Sequence, residues 1–341
     1  MIRISGRSVR LFAISIAAHI FIHPGFTQDT KTKTSQTKKE TPAKKAQPWP
    51  HTMATVTDAA YGPHERQIVD FYKAKSDKPT PVVLFIHGGG WVNGDKTGVQ
   101  NAINIGKLNQ NGISIVSVQY RMVTEADQKG IKPPVKWPLE DAARALQFVR
   151  SKAKEWNIDK ERIAACGSSA GACSSLWLSM HDDMANAKSD DPVMRESTRL
   201  WGVVVSGAQT SLDPKSTREW MPNMSYGGHA FGFRDPAKPR DAEFQRFYDN
   251  REKVLPWIRE YSPIEHISKD DPPMILLFTG NKKVVKGEPQ QDPTHSPLLG
   301  KMLQEKALPL GLKCVVSYPA EPDANYTKPT ESLISLLKES R

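Results

Sequence analysis

The stretch 163–173, which reads IAACGSSAGAC, constrains the fold of this chain more than any other. An apolar run leads into Ser169, and a run of small and apolar residues follows it. Gly167 and Gly171 stand two positions to either side, where a tight strand-to-helix turn leaves no room for a Cβ atom. The pattern predicts a strand, a strained turn at Ser169 and a helix, which is the form of a nucleophile elbow. Because the pattern is common by chance, it needs a matching context elsewhere in the chain.

Short apolar runs alternate with helix-forming segments through most of the sequence. The run 81–86, PVVLFI, is apolar throughout, as is typical of a central parallel strand covered on both faces. This alternation predicts an α/β fold with a mostly parallel, doubly wound sheet and helices on both faces. We predict strands at 53–56, 67–72, 81–86, 113–118, from Ile163, and at 201–206, 272–278 and 314–318. Helices are predicted at 98–111, 138–154, 170–180, 297–306 and 331–338.

The first fifty residues differ from the rest. Residues 1–27 are predicted to be a secretory signal peptide, because three arginines precede an apolar run too short to span a bilayer; the alternative is a buried amphipathic segment. Residues 28–50 are rich in Lys, Thr, Gln and Pro and predict a disordered linker. The folded domain should then span 51–341, with an insertion at about 208–261.

Charge follows the same division. Residues 1–49 hold nine Lys or Arg against two Asp or Glu, so they carry seven of the ten net positive charges. The remaining residues are nearly neutral, which gives no support for nucleic-acid binding. No stable membrane insertion is expected after removal of the signal.

A glycine-rich segment follows the apolar run 81–86. This glycine loop, residues 87–91, reads HGGGW, and its three glycines allow bare backbone N–H groups to approach a ligand oxygen. The alternative is a plain turn in which His87 only packs. Cys166, Cys173 and Cys314 show no metal-ligand spacing, and we expect buried free thiols, although a Cys166–Cys173 bridge is the alternative.

The glycine loop and the sequence around Ser169 together resemble the α/β-hydrolase superfamily. The resemblance is to esterases similar to hormone-sensitive lipase and to the bacterial feruloyl-esterase-like group, and it runs from Tyr61 to the last residue. The segments 119–121 (QYR), 139–141 (LED) and 262–264 (SPI) stand in the order that such esterases show. The resemblance implies a serine hydrolase without metal or organic cofactor. Ser169 would be the nucleophile, and the N–H groups of Gly88, Gly89 and Ala170 would receive the oxyanion.

The usual acid and base positions of this family are not matched. Lys283 stands where the acid is expected after the strand ending at residue 280, and Asp323 stands where the histidine is expected. Asp292 is a candidate for a displaced acid, or else an Asp-Pro turn that starts a helix. His295 is a candidate base, although a residue three positions from the acid is not expected to reach the serine, and a surface cap is the alternative. His229, in the insertion, is the other candidate base.

His266 is expected to be structural. The insertion also carries Trp220, Met221, Tyr226, His229, Phe231 and Phe233, which either line a substrate mouth or pack for the stability of the insertion.

These observations predict a secreted or periplasmic carboxylic-ester hydrolase. It would act through an acyl-enzyme on Ser169, and its substrate would be a small-molecule or polysaccharide-linked acyl ester. The alternative is a non-catalytic hydrolase-like binding protein that lacks a base, and a peptidase is a further candidate.

Overall fold

The computed structural model describes residues 52–339, so the predicted signal peptide and linker lie outside the described residues. Eight strands form one sheet in the order β1-β2-β4-β3-β5-β6-β7-β8. β2 pairs antiparallel with both β1 and β4, and all the other neighbours are parallel. The strands are β1 Val56–Ala60, β2 Ile68–Tyr72, β3 Thr80–Ile86, β4 Ser114–Val118, β5 Ile158–Ser168, β6 Gly202–Ser206, β7 Met274–Leu277 and β8 Cys314–Ser317.

Helices connect these strands and cover the sheet on both faces. They are α1 Val99–Ala102, α2 Ile105–Gln110, α3 Val123–Gln128, α4 Lys136–Ser151, α5 Ala153–Trp156, α6 Ala170–Met180, α7 Pro214–Trp220, α8 Arg240–Asp249, α9 Arg251–Tyr261, α10 Pro297–Ala307 and α11 Pro329–Lys338. Helices α4, α6 and α10 pack on one face, and α2 and α11 pack on the other. The predicted α/β architecture is confirmed.

The strand β3 shows why the core has two layers. Val82, Leu84 and Ile86 belong to one buried cluster, whereas Val83 and Phe85 belong to the other. Successive side chains of a strand point to opposite faces, so an unbroken apolar run needs a helix layer on each side. The continuous apolarity of this run therefore predicted its central position correctly.

Several predicted boundaries differ from the structure. The first strand begins at Val56 instead of residue 53, and the predicted helix 98–111 is interrupted at Ile103, whose backbone is extended. The polar segment 157–162, interpreted as a turn, is mostly part of β5, because its Ile158 pairs with Thr80 of β3. The insertion contains the helices α7, α8 and α9, which were not predicted, although Val254, Ile258 and Tyr261 stand at helical spacing in α9.

Two further expectations concern cysteines and membranes. All three cysteines are free and buried, as predicted, and burial raises the pKa of the Cys166 thiol to about 12. Within residues 52–339, none of the helices combines the length and the apolarity needed to cross a bilayer.

A buried ion pair connects the loop after β4 to helix α4. Asp141, with 1% of its side chain exposed, accepts hydrogen bonds from the backbone N–H and the guanidinium of Arg121 and from Gln67 Nε2. The shortest contact, between Arg121 Nη2 and Asp141 Oδ1, measures 2.6 Å. Removal of one member would leave the other charge buried and unpaired, which is costly. The segments 119–121 and 139–141 of the family resemblance therefore meet in one structural contact.

We predict that Asp141→Ala lowers the free energy of unfolding by about 3–5 kcal/mol, because it orphans the Arg121 guanidinium. Denaturant unfolding measures the change. Glu140→Ala is the matched control on the same helix, since Glu140 is half exposed and lies 3.7 Å from Lys136, and it should cost less than about 1 kcal/mol. Equal losses in the two variants would contradict the structural role of this ion pair.

The ring of His87 fixes the start of the glycine loop. It is 3% exposed, stacks on the Tyr120 ring with centroids 4.1 Å apart, and its Nδ1 donates to the carbonyl of Gly88 at 2.8 Å. Burial lowers the pKa of His87 from 6.5 to about 4, so this imidazole is neutral near pH 7.

We predict that His87 makes the protein less stable in acid. Between pH 6.5 and about 4 the unfolded chain binds a proton that the folded His87 does not, so the free energy of unfolding falls as the pH is lowered through this window. The full effect is about 3 kcal/mol. Denaturant unfolding of wild type and His87→Asn at several pH values measures the slope. In this window the free energy of unfolding should fall more steeply with decreasing pH in wild type than in His87→Asn. Parallel pH profiles of the two proteins would contradict the prediction.

Candidate active site

The turn at Ser169 connects β5 to α6 in a strained conformation. Ser169 has φ of 51° and ψ of −121°, and its N–H donates to the carbonyl of Ser206 at 2.9 Å. Such a backbone costs about 1–3 kcal/mol at a non-glycine residue and persists only where the surroundings hold it. A Cβ atom on Gly171 would lie 2.0 Å from the carbonyl oxygen of Ile86, and one on Gly167 would lie 2.6 Å from the Gly171 backbone. The two glycines therefore permit helix α6 to start directly against the end of β3.

Ser169 meets a histidine from the loop after β7. Its Oγ lies 2.9 Å from Nε2 of His295, and Nδ1 of His295 lies 2.8 Å from Oδ2 of Asp292. A carboxylate only accepts, so Nδ1 carries the proton and Nε2 accepts from the serine hydroxyl. The structure thus brings together the three residues that the sequence suggested as nucleophile, base and acid.

The reach of His295 differs from what its position in the sequence suggested. Pro293–His295 forms a single turn of 3₁₀ helix, in which residues three apart lie on the same side. Asp292 caps this turn by accepting from the N–H groups of Thr294 and His295, and the same carboxylate accepts from the ring of His295. Asp292 therefore caps the 3₁₀ turn and contacts the His295 ring at the same time, although the helix α10 that follows is capped by Ser296. The ring of His295 contacts Ser169, so the distance expected from its position in the sequence does not keep it from the serine.

Gly207, directly after β6, makes room for this histidine. It has φ of 59°, and a Cβ atom there would lie 3.3 Å from Cδ2 of His295. A side chain would therefore be strained in its backbone and would crowd the imidazole. No motif in the sequence marked Gly207 as part of the site. Its position after the strand that neighbours β5 is the signal that would have identified it.

The glycine loop lies beside the turn. A Cβ atom on Gly88 would lie 2.6 Å from the carbonyl oxygen of Ser168, and the loop is closed by the N–H groups of Val92 and Asn93, which both donate to Gly89. Among the described residues, the N–H groups of Gly88 and Gly89 donate to no protein acceptor. Ala170 begins helix α6, where backbone N–H groups have no partner within the helix. These donors lie next to the reactive serine.

None of the other candidates hydrogen-bonds to Ser169 within residues 52–339. Asp323 accepts hydrogen bonds from the N–H groups of Asn325 and Tyr326 in its own loop. The exposed Lys283 lines a cleft of about 620 Å³, whose wall also includes Asp292 and His295 but not Ser169. His229 makes no hydrogen bond to Ser169, and its Nδ1 lies 3.7 Å from Oε1 of Glu243.

Several aromatic residues of the insertion pack against one another. Phe231 is 2% exposed and stacks on Phe247 with ring centroids 5.0 Å apart, and Phe233 contacts the same ring. Met221 is fully buried. The packing of Phe231 and Phe233 on Phe247 and the burial of Met221 therefore stabilise the insertion.

Comparisons with known proteins show the family and the fold of this chain. The BD-FAE family profile matches residues 69–292, about two thirds of the chain. Esterase LipC of Mycobacterium tuberculosis is 25% identical over 241 residues, which cover 67% of this chain and 51% of that protein. The chain thus spans about half the length of this curated relative.

Solved structures share the fold. A truncated carbohydrate esterase from gut microbiota superposes with a TM-score of 0.58 at 19% identity, covering 85% of this chain and 99% of that one. Esterase 2 of Thermogutta terrifontis, phosphonylated by sarin, gives a TM-score of 0.56 at 19% identity, with 79% and 85% coverage. With the family profile matched over most of the folded residues, the chain belongs to the BD-FAE family and has the fold of the α/β-hydrolase-type esterases.

Proposed function

We propose that this protein is a serine carboxylic-ester hydrolase that works through an acyl-enzyme on Ser169. The observation that carries the proposal is the continuous contact from Asp292 through His295 to Ser169, with distances of 2.8 and 2.9 Å. This contact supports His295 as the base, and it therefore argues against the non-catalytic alternative, which assumed that no base is present. Membership in an esterase family supports the same function.

The mechanism follows from the positions of these groups. His295 Nε2 takes the proton of Ser169 while Oγ attacks the ester carbonyl carbon. The carbonyl oxygen becomes an oxyanion, which accepts from the N–H groups of Gly88, Gly89 and Ala170. The protonated His295 then gives its proton to the departing alcohol, and the acyl group remains on Oγ. A water molecule, deprotonated by His295, attacks the acyl carbon. The bond between that carbon and Oγ breaks, His295 returns the proton to Oγ of Ser169, and the acid leaves.

The acid of this triad is unusually open to solvent. The side chains of Asp292 and His295 are 60% and 38% exposed. Water screens such a pair, so the carboxylate contributes mainly by orienting the imidazole and selecting its tautomer. Asp292 also holds the backbone of the turn that carries His295, so its two roles are combined in one side chain.

The substrate class and the location belong to the same proposal. We infer that the acyl ester is borne by a small molecule or a polysaccharide, which is consistent with a fold neighbour described as a carbohydrate esterase. Export to the periplasm or the medium is inferred from residues 1–27 alone. An exported enzyme would meet ester-bearing polysaccharides directly.

We predict that Ser169→Ala abolishes labelling by a fluorophosphonate probe. It should also lower the turnover of short acyl esters by roughly a million-fold, because the nucleophile is lost. Gel fluorescence and ester kinetics on purified protein measure the two effects. Ser168→Ala is the matched control, and it should keep the labelling because its Oγ does not contact His295. Labelling that survives in Ser169→Ala and disappears in Ser168→Ala would overturn the assignment of the nucleophile.

We predict that replacing His295 or Asp292 lowers the catalytic rate by different amounts. His295→Gln should lower kcat by a factor on the order of a million, and Asp292→Asn by roughly ten-thousandfold or less, since the acid acts through the histidine. The double variant should be no worse than His295→Gln alone, because the three residues act as a unit. Steady-state kinetics with a short acyl ester measure these losses. His229→Gln should retain activity, and the reverse outcome, with His229 essential and His295 dispensable, would contradict the assignment of the base.

A further inference from the structure

A second cluster of possible ligands lies away from Ser169. It contains His181, directly after helix α6, Glu260, near the end of α9, and His266, in the segment that follows. One ligand atom from each residue lies within 4.8 Å of those of the other two. Nothing in the mechanism uses these side chains, and their separation in the chain gives no sequence signal.

The hydrogen bonds of His181 determine which of its nitrogens can bind a cation. Nδ1 lies 2.9 Å from the carbonyl oxygen of Asp182, which only accepts, so Nδ1 carries the proton. In the neutral ring, Nε2 then presents a lone pair, and it faces Oε1 of Glu260 at 3.3 Å. Two lone pairs at this distance repel each other unless a proton or a metal ion lies between them.

The His266 ring is also held by a backbone carbonyl, but through its other nitrogen. Its Nε2 lies 2.6 Å from the carbonyl oxygen of Glu260, so Nε2 carries the proton. In the neutral ring, Nδ1 then keeps a lone pair. The indole N–H of Trp177 donates to the same carbonyl at 2.8 Å and fixes its position. Backbone carbonyls that select the tautomer of a histidine are the usual outer partners of metal-binding imidazoles.

We propose that His181, Glu260 and His266 form a surface site for a divalent transition metal, with zinc as the ion tested. Two imidazoles and one carboxylate, with an open fourth position for water, are a ligand set that zinc accepts in tetrahedral geometry. Zinc bonds of about 2.0–2.1 Å place the ligands roughly 3.4 Å apart. Nε2 of His181 and Oε1 of Glu260 already lie 3.3 Å apart, so the contraction, up to about 1.4 Å, falls on the contacts of His266. The Glu260 side chain is 47% exposed and is free to follow this movement. A magnesium or calcium site would require more oxygen ligands.

The site would tie two parts of the molecule together. His181 ends the helix that begins after Ser169, whereas Glu260 and His266 flank the end of the insertion. A bound ion would cross-link these segments and stabilise the folded state, because the ligands come together only after folding. This inference is independent of the proposed ester hydrolysis.

Calorimetric titration of the full chain with zinc chloride tests the proposal. Wild type should bind one zinc ion, and the affinity for this ion should fall in His266→Ala and in Glu260→Gln. The zinc affinity of each variant should fall by at least roughly 10–100-fold, which is the effect of removing a group that only hydrogen-bonds to a metal ligand. Zinc should also raise the thermal unfolding temperature of wild type but not of His266→Ala. His64→Ala is the matched control, because His64 pairs with Glu125 at 3.0 Å in a comparable His–Glu contact outside the cluster.

Two results would overturn the proposal. The first is that wild type binds no zinc, or that His266→Ala and Glu260→Gln lower its zinc affinity no more than His64→Ala does. The second is a zinc ion held by Asp292 and His295, which would block fluorophosphonate labelling and persist in His266→Ala. Retention of the circular dichroism spectrum and of cooperative thermal unfolding without zinc shows that each variant is folded.

Discussion

The close approach of helix α6 to the end of β3 is the contact on which the site depends. It requires that residue 171 have no Cβ atom, since one would lie 2.0 Å from the carbonyl oxygen of Ile86. This contact and the hydrogen bond from Ser169 to Ser206 hold the serine in its strained backbone conformation. The strain is offset by the buried sheet on both sides of the turn. The same approach brings the glycine loop against Ser168, so one packing constraint positions both the nucleophile and the donors beside it.

The proposed acid and base, Asp292 and His295, share one short turn, which gives this site its compact form. Asp292 is both the cap of the 3₁₀ turn and the partner of the His295 ring. A substitution there would disturb the backbone that carries the histidine as well as the ring itself. Gly207 completes the arrangement, because it lets the imidazole lie against the end of β6.

The parts of the fold that repeat a local pattern could be predicted from the sequence. Strand β3, helix α6 and the turn between β5 and α6 follow from unbroken apolarity, small residues and paired glycines. The reach of His295 could not be predicted, because it depends on a 3₁₀ turn whose placement beside Gly207 is a tertiary property. The helices of the insertion were not predicted, although Val254, Ile258 and Tyr261 of α9 stand at helical spacing and are buried, with Pro256 between them. Phe247 of α8 packs on Phe231, a contact within the insertion that spacing along the chain does not show. The cluster of His181, Glu260 and His266 likewise arises only when α6 and α9 are brought together.

A crystal structure of the protein after reaction with a small phosphonate ester tests the central claim most directly. The account predicts phosphorus bonded to Ser169 Oγ, with the phosphoryl oxygen accepting from the N–H groups of Gly88, Gly89 and Ala170. His295 Nε2 should remain next to the adduct while Asp292 holds Nδ1. An adduct on another residue, or a His295 ring turned away from a modified Ser169, would contradict the account.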